Sequence, residues 1–157
     1  MNYKNLGVLD CRMTVRVLFV CWANACRSPM SHALATGLVL ERGLDVEVDS
    51  AAGVRPAAYT SPEAVRAVAT RHPDWEEVID GRAPQSIHDV HGSPEIVVVH
   101  APDALIHCEE RFPSSNVLPL YIEDPIGRGQ DHYDACCREL EEIVSSVLDD
   151  IKSGRLP

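Results

Sequence analysis

Residues 15–21, VRVLFVC, form an almost unbroken apolar run rich in β-branched side chains. A strand with one wet face alternates apolar and polar residues. A strand without alternation is buried on both faces, as in parallel sheets covered by helices. The run passes directly into WANACRSP at 22–29, after which Met30, Leu34 and Leu38 recur at helical spacing towards Arg42. Pro29 suits a first helical turn, where its missing N–H leaves no bond unmade, and Gly43 is a stop signal. Strand, short loop and helix are therefore expected in that order.

The pattern returns down the chain. Segments 46–51 (VEVDSA), 95–100 (EIVVVH) and 116–121 (NVLPLY) read as three further strands. The last belongs at a sheet edge, because Pro119 cannot donate to a ladder. Ser61-Pro62-Glu63 reads as the cap and first turn of a helix with Val65 and Val68 inward, and 102–112 as another helix. A last helix starts near Asp131, with Tyr133, Cys136, Leu140, Val144, Val147 and Ile151 stepping by three and four to give one face for the sheet. Between 71 and 94 the chain is rich in Pro, His and Asp, and no element is assigned. Strands alternating with helices predict an α/β fold, a four-stranded parallel sheet flanked by helices. The chain's 157 residues suit one core. Residues 15–157 are expected to form a single domain after an N-terminal extension, 1–14, in which Met13 is an alternative start.

A net charge of −10 leaves no basic surface for nucleic acid or acidic lipid. No apolar run approaches the roughly 20 residues of a bilayer span, and the first residues lack a secretory pattern. A cytoplasmic protein without nucleic-acid or membrane partners is expected. The cysteines at 11, 21, 26, 108, 136 and 137 have no zinc-ligand spacing, and His88 and His91 lack partner cysteines. No metal and no cofactor are expected. Cys136 and Cys137 read as buried structural thiols, and His32 as a surface residue.

The loop of Cys21, Trp22, Ala23, Asn24, Ala25, Cys26, Arg27 and Ser28 joins the carboxyl end of a strand to a helix start. Open α/β folds bind ligands at this edge. A loop wrapped around a phosphate turns its backbone N–H groups inward, and the helix N-terminus adds a favourable dipole. Arg27 can supply a planar fork to two phosphate oxygens. Cys21 lies under the cup, where the same dipoles favour a thiolate that can attack phosphorus. Ser28 can donate to that thiolate, and Asn24 tolerates left-handed backbone.

FVCWANACRSPM resembles the phosphate-binding loop of low-molecular-weight protein tyrosine phosphatases, V-C-x-G-N-x-C-R-S-P, at Cys21, Asn24, Cys26, Arg27, Ser28 and Pro29. The likeness continues through DSAAG at 49–53 to Asp124-Pro125, which matches the family's D-P acid loop. It implies a spatial strand order 2-1-3-4 and a phosphomonoester hydrolase working through a cysteinyl-phosphate intermediate. Cys21 would be the nucleophile, Arg27 the phosphate clamp and Asp124 the general acid; Trp22 to Ser28 would bind the phosphate of a phosphorylated protein or small aryl phosphate. It also implies a reversible disulfide between Cys21 and its redox partner Cys26. Asp124 has a physical case of its own: it follows the fourth strand, at the same edge as Cys21, and an alkoxide or phenoxide leaving group needs a proton.

The match departs in places. Ala23 replaces the family glycine, and a methyl there strains the loop if the position takes a positive φ. Ile126-Gly127 stand where the family has aromatics, so Trp22 is the candidate aromatic wall. Phosphoarginine phosphatases usually carry threonine where this chain has Ala25. Arsenate reductase is an alternative on the same fold, but His100 stands where its first relay thiol would be and only Cys108 lies nearby. A non-catalytic phosphate-binding regulatory module is the other alternative.

Overall fold

The computed structural model describes residues 14–156. The expected extension therefore lies outside the described residues except for Thr14, whose hydroxyl donates to Asp45 Oδ1 at 2.8 Å. The elements are β1 (Val15–Cys21), α1 (Arg27–Arg42), β2 (Val46–Ala52), α2 (Pro62–Arg71), α3 (Glu76–Ile79), β3 (Ile96–Val99), α4 (Leu105–Arg111), β4 (Asn116–Pro119) and α5 (Gln130–Lys152). The strands form one parallel sheet in the order β2-β1-β3-β4, the order the family resemblance implies.

The unbroken apolar character of β1 follows from its central place. Val17 and Phe19 face a layer containing Met30 and Leu34 of α1 and Leu140 and Val144 of α5. Leu18 and Val20 face Ile87, Val97, Val99, Cys108 and Phe112 on the other side. Full burial of a side chain of this size contributes about 1.5–3 kcal/mol, so both faces must stay apolar. Gly43 ends α1 in left-handed geometry at φ 63°. The edge strand β4 stops at Pro119 rather than reaching residue 121, yet the chain keeps pairing irregularly. Leu120 N–H bonds Val99 O at 2.9 Å and Ile122 N–H bonds His100 O at 3.1 Å. The helix expected over 102–112 starts as a 3₁₀ turn, Pro102–Ala104, before α4. On α2 the buried face is Ala64, Ala67 and Val68, with Val65 only part-buried.

The unassigned stretch 71–94 is anchored by an aromatic. Trp75 is buried and stacks on His72 with centroids 3.7 Å apart. It sits over Gly37 of α1, where an added Cβ would lie 2.1 Å from the indole. Arg71 and His72 both reach Glu141 of α5, at 2.7 and 2.6 Å. The chain then returns to the sheet through a parallel bridge between Ala52 and Ser86. Short elements held by single side chains leave no periodic pattern, which is why the sequence shows none here. No helix of the described residues is long and apolar enough to cross a membrane.

Candidate active site

The cup after β1 is shaped from outside. The carbonyls of Cys21, Trp22, Ala23 and Ala25 accept N–H bonds from Gly53 (2.8 Å), Val54 and Arg55 (3.2 Å each), Ala57 (2.9 Å) and Ser61 (2.9 Å). Segment 53–61 is thus a strap around the loop. With these carbonyls taken up by the strap, the loop's backbone N–H groups are the ones left to bond an anion, as in a nest. Gly53 is fixed by packing on its other side, because a Cβ there would lie 2.4 Å from that of Ala104. Among the described residues, only Asn24 takes a positive φ without being glycine, at 56°. That is the left-handed position expected of it. Ala23 does not take a positive φ, so the strain considered for its methyl does not arise.

Below the cup, Cys21 Sγ lies 3.0 Å from Ser28 Oγ. Asn24 Nδ2 donates to Ser28 Oγ at 2.8 Å and to Ser50 Oγ at 3.2 Å. Ser28, already accepting from an amide, has its own proton free to give to the sulfur. The guanidinium of Arg27 is buried at 6% exposure. Its Nη1 donates to Ile122 O at 3.1 Å and His100 O at 3.4 Å, and its Nη2 to Asp124 Oδ2 at 3.2 Å. Its Nε is buried without a protein partner, a donor that a phosphate oxygen would satisfy. Asp124 is part-exposed and is drawn to the same site as Cys21 by this ion pair.

His100, at the end of β3, is wholly buried beneath Arg27. Its Nδ1 donates to Leu120 O at 2.9 Å, so its Nε2 accepts from Ser31 Oγ at 2.8 Å. Burial pulls it down to about 4, with Arg27 adding to the effect. It is a neutral strut under the arginine. His32 corrects the expected surface role. It is part-buried on α1 with Nδ1 3.0 Å from Ser50 Oγ, and burial first, then Arg82, pulls it down to about 4. The error arose because α1 is enclosed by the sheet and by other helices, so its polar positions also face protein.

Cys26 is buried, with its Sγ 3.3 Å from Tyr133 Oη. Burial pushes it up to about 11, against the lowering pull of Tyr133. Cys136 and Cys137 are buried as expected and pushed up to about 12 by burial. Trp22 is 38% exposed and stands at the rim rather than in the core. Beside Ala25 opens a cleft of about 400 Å³ lined by Tyr59, Glu63, Ile126 and Tyr133 among others. Tyr59 is an exposed aromatic at 70% that motif reading passed over. Motif reading also passed over Arg82 and Gln85, part-buried residues that reach Asn24 Oδ1 through Nη1 at 3.2 Å and the backbone N–H at 3.0 Å. Among the described residues no group of three or more ligating side chains could hold a metal ion.

The family model described as low molecular weight phosphotyrosine protein phosphatase matches residues 16–155. A protein-arginine-phosphatase of Bacillus subtilis (strain 168) is 30% identical over 152 residues, which cover 88% of this chain and 98% of that protein. A low molecular weight protein tyrosine phosphatase from Bacillus subtilis, solved in solution, is 25% identical with a TM-score of 0.76, over 90% of this chain and 99% of that one. Another from T. tengcongensis is 25% identical with a TM-score of 0.74, over 87% and 99%. The chain belongs to the low molecular weight phosphotyrosine protein phosphatase family and is a cysteine-dependent phosphatase.

Proposed function

We propose that the chain is a protein phosphatase acting on phosphotyrosine, with Cys21 as nucleophile, Arg27 as clamp and Asp124 as general acid. The observation that carries this is the convergence on one cup of Cys21 Sγ, hydrogen-bonded by Ser28, and Arg27, whose buried Nε lacks a protein partner and whose Nη2 meets Asp124. The N–H groups of 22–28 and the Arg27 fork hold the phosphoryl oxygens. The thiolate attacks phosphorus as the ester bond breaks, and Asp124 gives its proton to the departing phenolic oxygen. A water then attacks the cysteinyl phosphate, Asp124 takes its proton, and the thiolate leaves. A bound phosphate competes for Arg27 Nη2, which frees Asp124 for the leaving group. Tyr59 and Trp22, both open to solvent at the rim, supply the aromatic contacts that Ile126-Gly127 do not.

A second reading, phosphoarginine, is favoured by the 30%-identical relative that bears that activity in its name. Arsenate reduction finds less support: His100 is committed to two hydrogen bonds, and Cys108 is buried on the far face of the sheet and pushed up to about 12 by burial. Residues 15–157 are proposed to act as one catalytic domain in the cytoplasm, where thiols stay reduced. The five described cysteines are all free. The test is a side-by-side measurement of kcat/KM on a phosphotyrosine peptide, a phosphoarginine peptide and arsenate. Phosphotyrosine is expected to lead by at least about tenfold, or about 1.4 kcal/mol of transition-state discrimination. A lead for phosphoarginine transfers the assignment to the second reading.

Cys26 is proposed as the redox partner. A hydroperoxide oxidises the Cys21 thiolate to a sulfenic acid; the Cys26 sulfur attacks it, the disulfide forms and water leaves. Burial keeps the Cys26 thiol protonated, so its proton must leave as its sulfur attacks. Peroxide-treated wild type is expected to recover with dithiothreitol, and Cys26→Ala to lose most of that recovery. Equal recovery in both, with no 21–26 crosslink by mass spectrometry, would remove the switch.

A further inference from the structure

Segment 80–86 carries no motif, yet it delivers a second cation to the floor of the cup. Arg82 is part-buried, and its Nη1 donates to Asn24 Oδ1 at 3.2 Å. The backbone N–H of Gln85 donates to the same oxygen at 3.0 Å. A backbone N–H can only donate, so the acceptor is the amide oxygen and the orientation of the Asn24 side chain follows. Its Nδ2 must then face Ser28 and Ser50. Both hydroxyls accept from it, and each has one proton left. Ser28 directs its proton to Cys21 Sγ at 3.0 Å. Ser50 Oγ also lies 3.0 Å from Nδ1 of neutral His32. With Cys21 as the thiolate, which can only accept, every bond from the guanidinium to the sulfur has a defined direction, and each polarises the next.

We infer that Arg82 is a positioning residue for the nucleophile: through Asn24 and Ser28 it orients the hydroxyl proton that holds the Cys21 thiolate, and its charge stabilises that thiolate. This rests on Cys21 being the nucleophile. The electrostatic coupling runs both ways. Burial pulls the Arg82 guanidinium down from its ordinary value, while Asp49 and then Cys21 pull it back up. A thiolate that favours the charged guanidinium is favoured by it in return. The other charged or titratable groups around the cup come from each packed element: Arg27 and His32 on α1, Asp49 on β2, His100 after β3, Asp124 after β4, Tyr133 on α5 against Cys26, and Cys26 in the loop itself. Arg27 is already committed to Asp124, Ile122 and His100. Arg82 is thus the cation joined to the sulfur by hydrogen bonds while leaving the phosphate clamp free.

Alkylation of Cys21 by neutral iodoacetamide, followed from pH 5 to 10 by mass spectrometry of the Cys21 peptide, reads the thiolate without requiring turnover. Arg82→Lys, Arg82→Gln and Arg82→Met separate charge from hydrogen bonding. At the acidic end Arg82→Met is expected to react on the order of tenfold more slowly than wild type, since removing a nearby partly buried charge has about that effect. Arg82→Gln, which keeps a donor for Asn24, is expected to lose less, and Arg82→Lys least. All are expected to converge with wild type at the alkaline end, where the sulfur is fully ionised. Wild-type rates for the Gln and Met variants at low pH would overturn the inference. So would an equal loss at every pH, which marks general damage to the loop. Failure here with Cys21 still essential for turnover leaves the nucleophile assignment standing.

Discussion

Cys21→Ser is expected to abolish hydrolysis of p-nitrophenyl phosphate, by at least about 10⁴-fold in kcat, and to leave phosphate or vanadate binding in place. The two effects separate because different atoms carry them. Turnover needs an anionic sulfur, and an alcohol at that position stays protonated at neutral pH. Binding needs the loop N–H groups that the strap 53–61 leaves to bond an anion, and the Arg27 fork. Neither depends on the sulfur. The serine oxygen also removes a negative charge from beneath an anion, so binding is expected to hold or tighten. Arg27→Lys in the same assays is expected to lose both, because an ammonium cannot present the planar fork. Calorimetric titration with phosphate next to steady-state kinetics makes the comparison. Turnover within tenfold of wild type in Cys21→Ser would end the mechanism.

The parts legible in the sequence are those whose causes are local. A strand buried on both faces must be apolar throughout, so β1 is visible as VRVLFVC. The left-handed Asn24, the proline in the first turn of α1 and the Ser28 contact are all set within a few residues of Cys21. Asp124 is legible because the strand before it ends at the same sheet edge. The second layer is not local. Arg82 and Gln85 reach Asn24 across 58 and 61 positions, from a segment with no periodicity. Ser50 closes the network from β2, across 26. Such contacts depend on how the chain returns to the sheet at the Ala52–Ser86 bridge, which neither composition nor spacing encodes.

Two positions near the cup show the same limit from the other side. His32 lies on a helix expected to have a wet face, but the helix is enclosed and the imidazole points into the Asn24–Ser50 cluster. At Ala23 strain depends on a positive φ, and the loop places its single left-handed residue at Asn24 instead. The methyl of Ala23 therefore costs the loop nothing in backbone conformation. Tyr59 was missed because an exposed tyrosine in a strap has no pattern; only the cleft it shares with Ile126 gives it meaning.

Asp124→Ala is expected to lower kcat by about 10²–10⁴-fold on substrates with poor leaving groups and far less on p-nitrophenyl phosphate. A basic leaving oxygen cannot depart without a proton, and Asp124, held at the cup by Arg27 Nη2 at 3.2 Å, is the carboxyl placed to give it. A nitrophenolate is stable enough to leave unprotonated, so removal of the acid costs it little. The same substitution frees Nη2 of Arg27 for phosphate, and KM is expected to stay level or fall. Plotting log kcat against leaving-group pKa for both proteins gives the reading: a shallow line for wild type and a steep one for the variant. Parallel lines, with the same loss on every substrate, would instead assign Asp124 a structural part, as the counter-ion that sets the angle of the Arg27 fork.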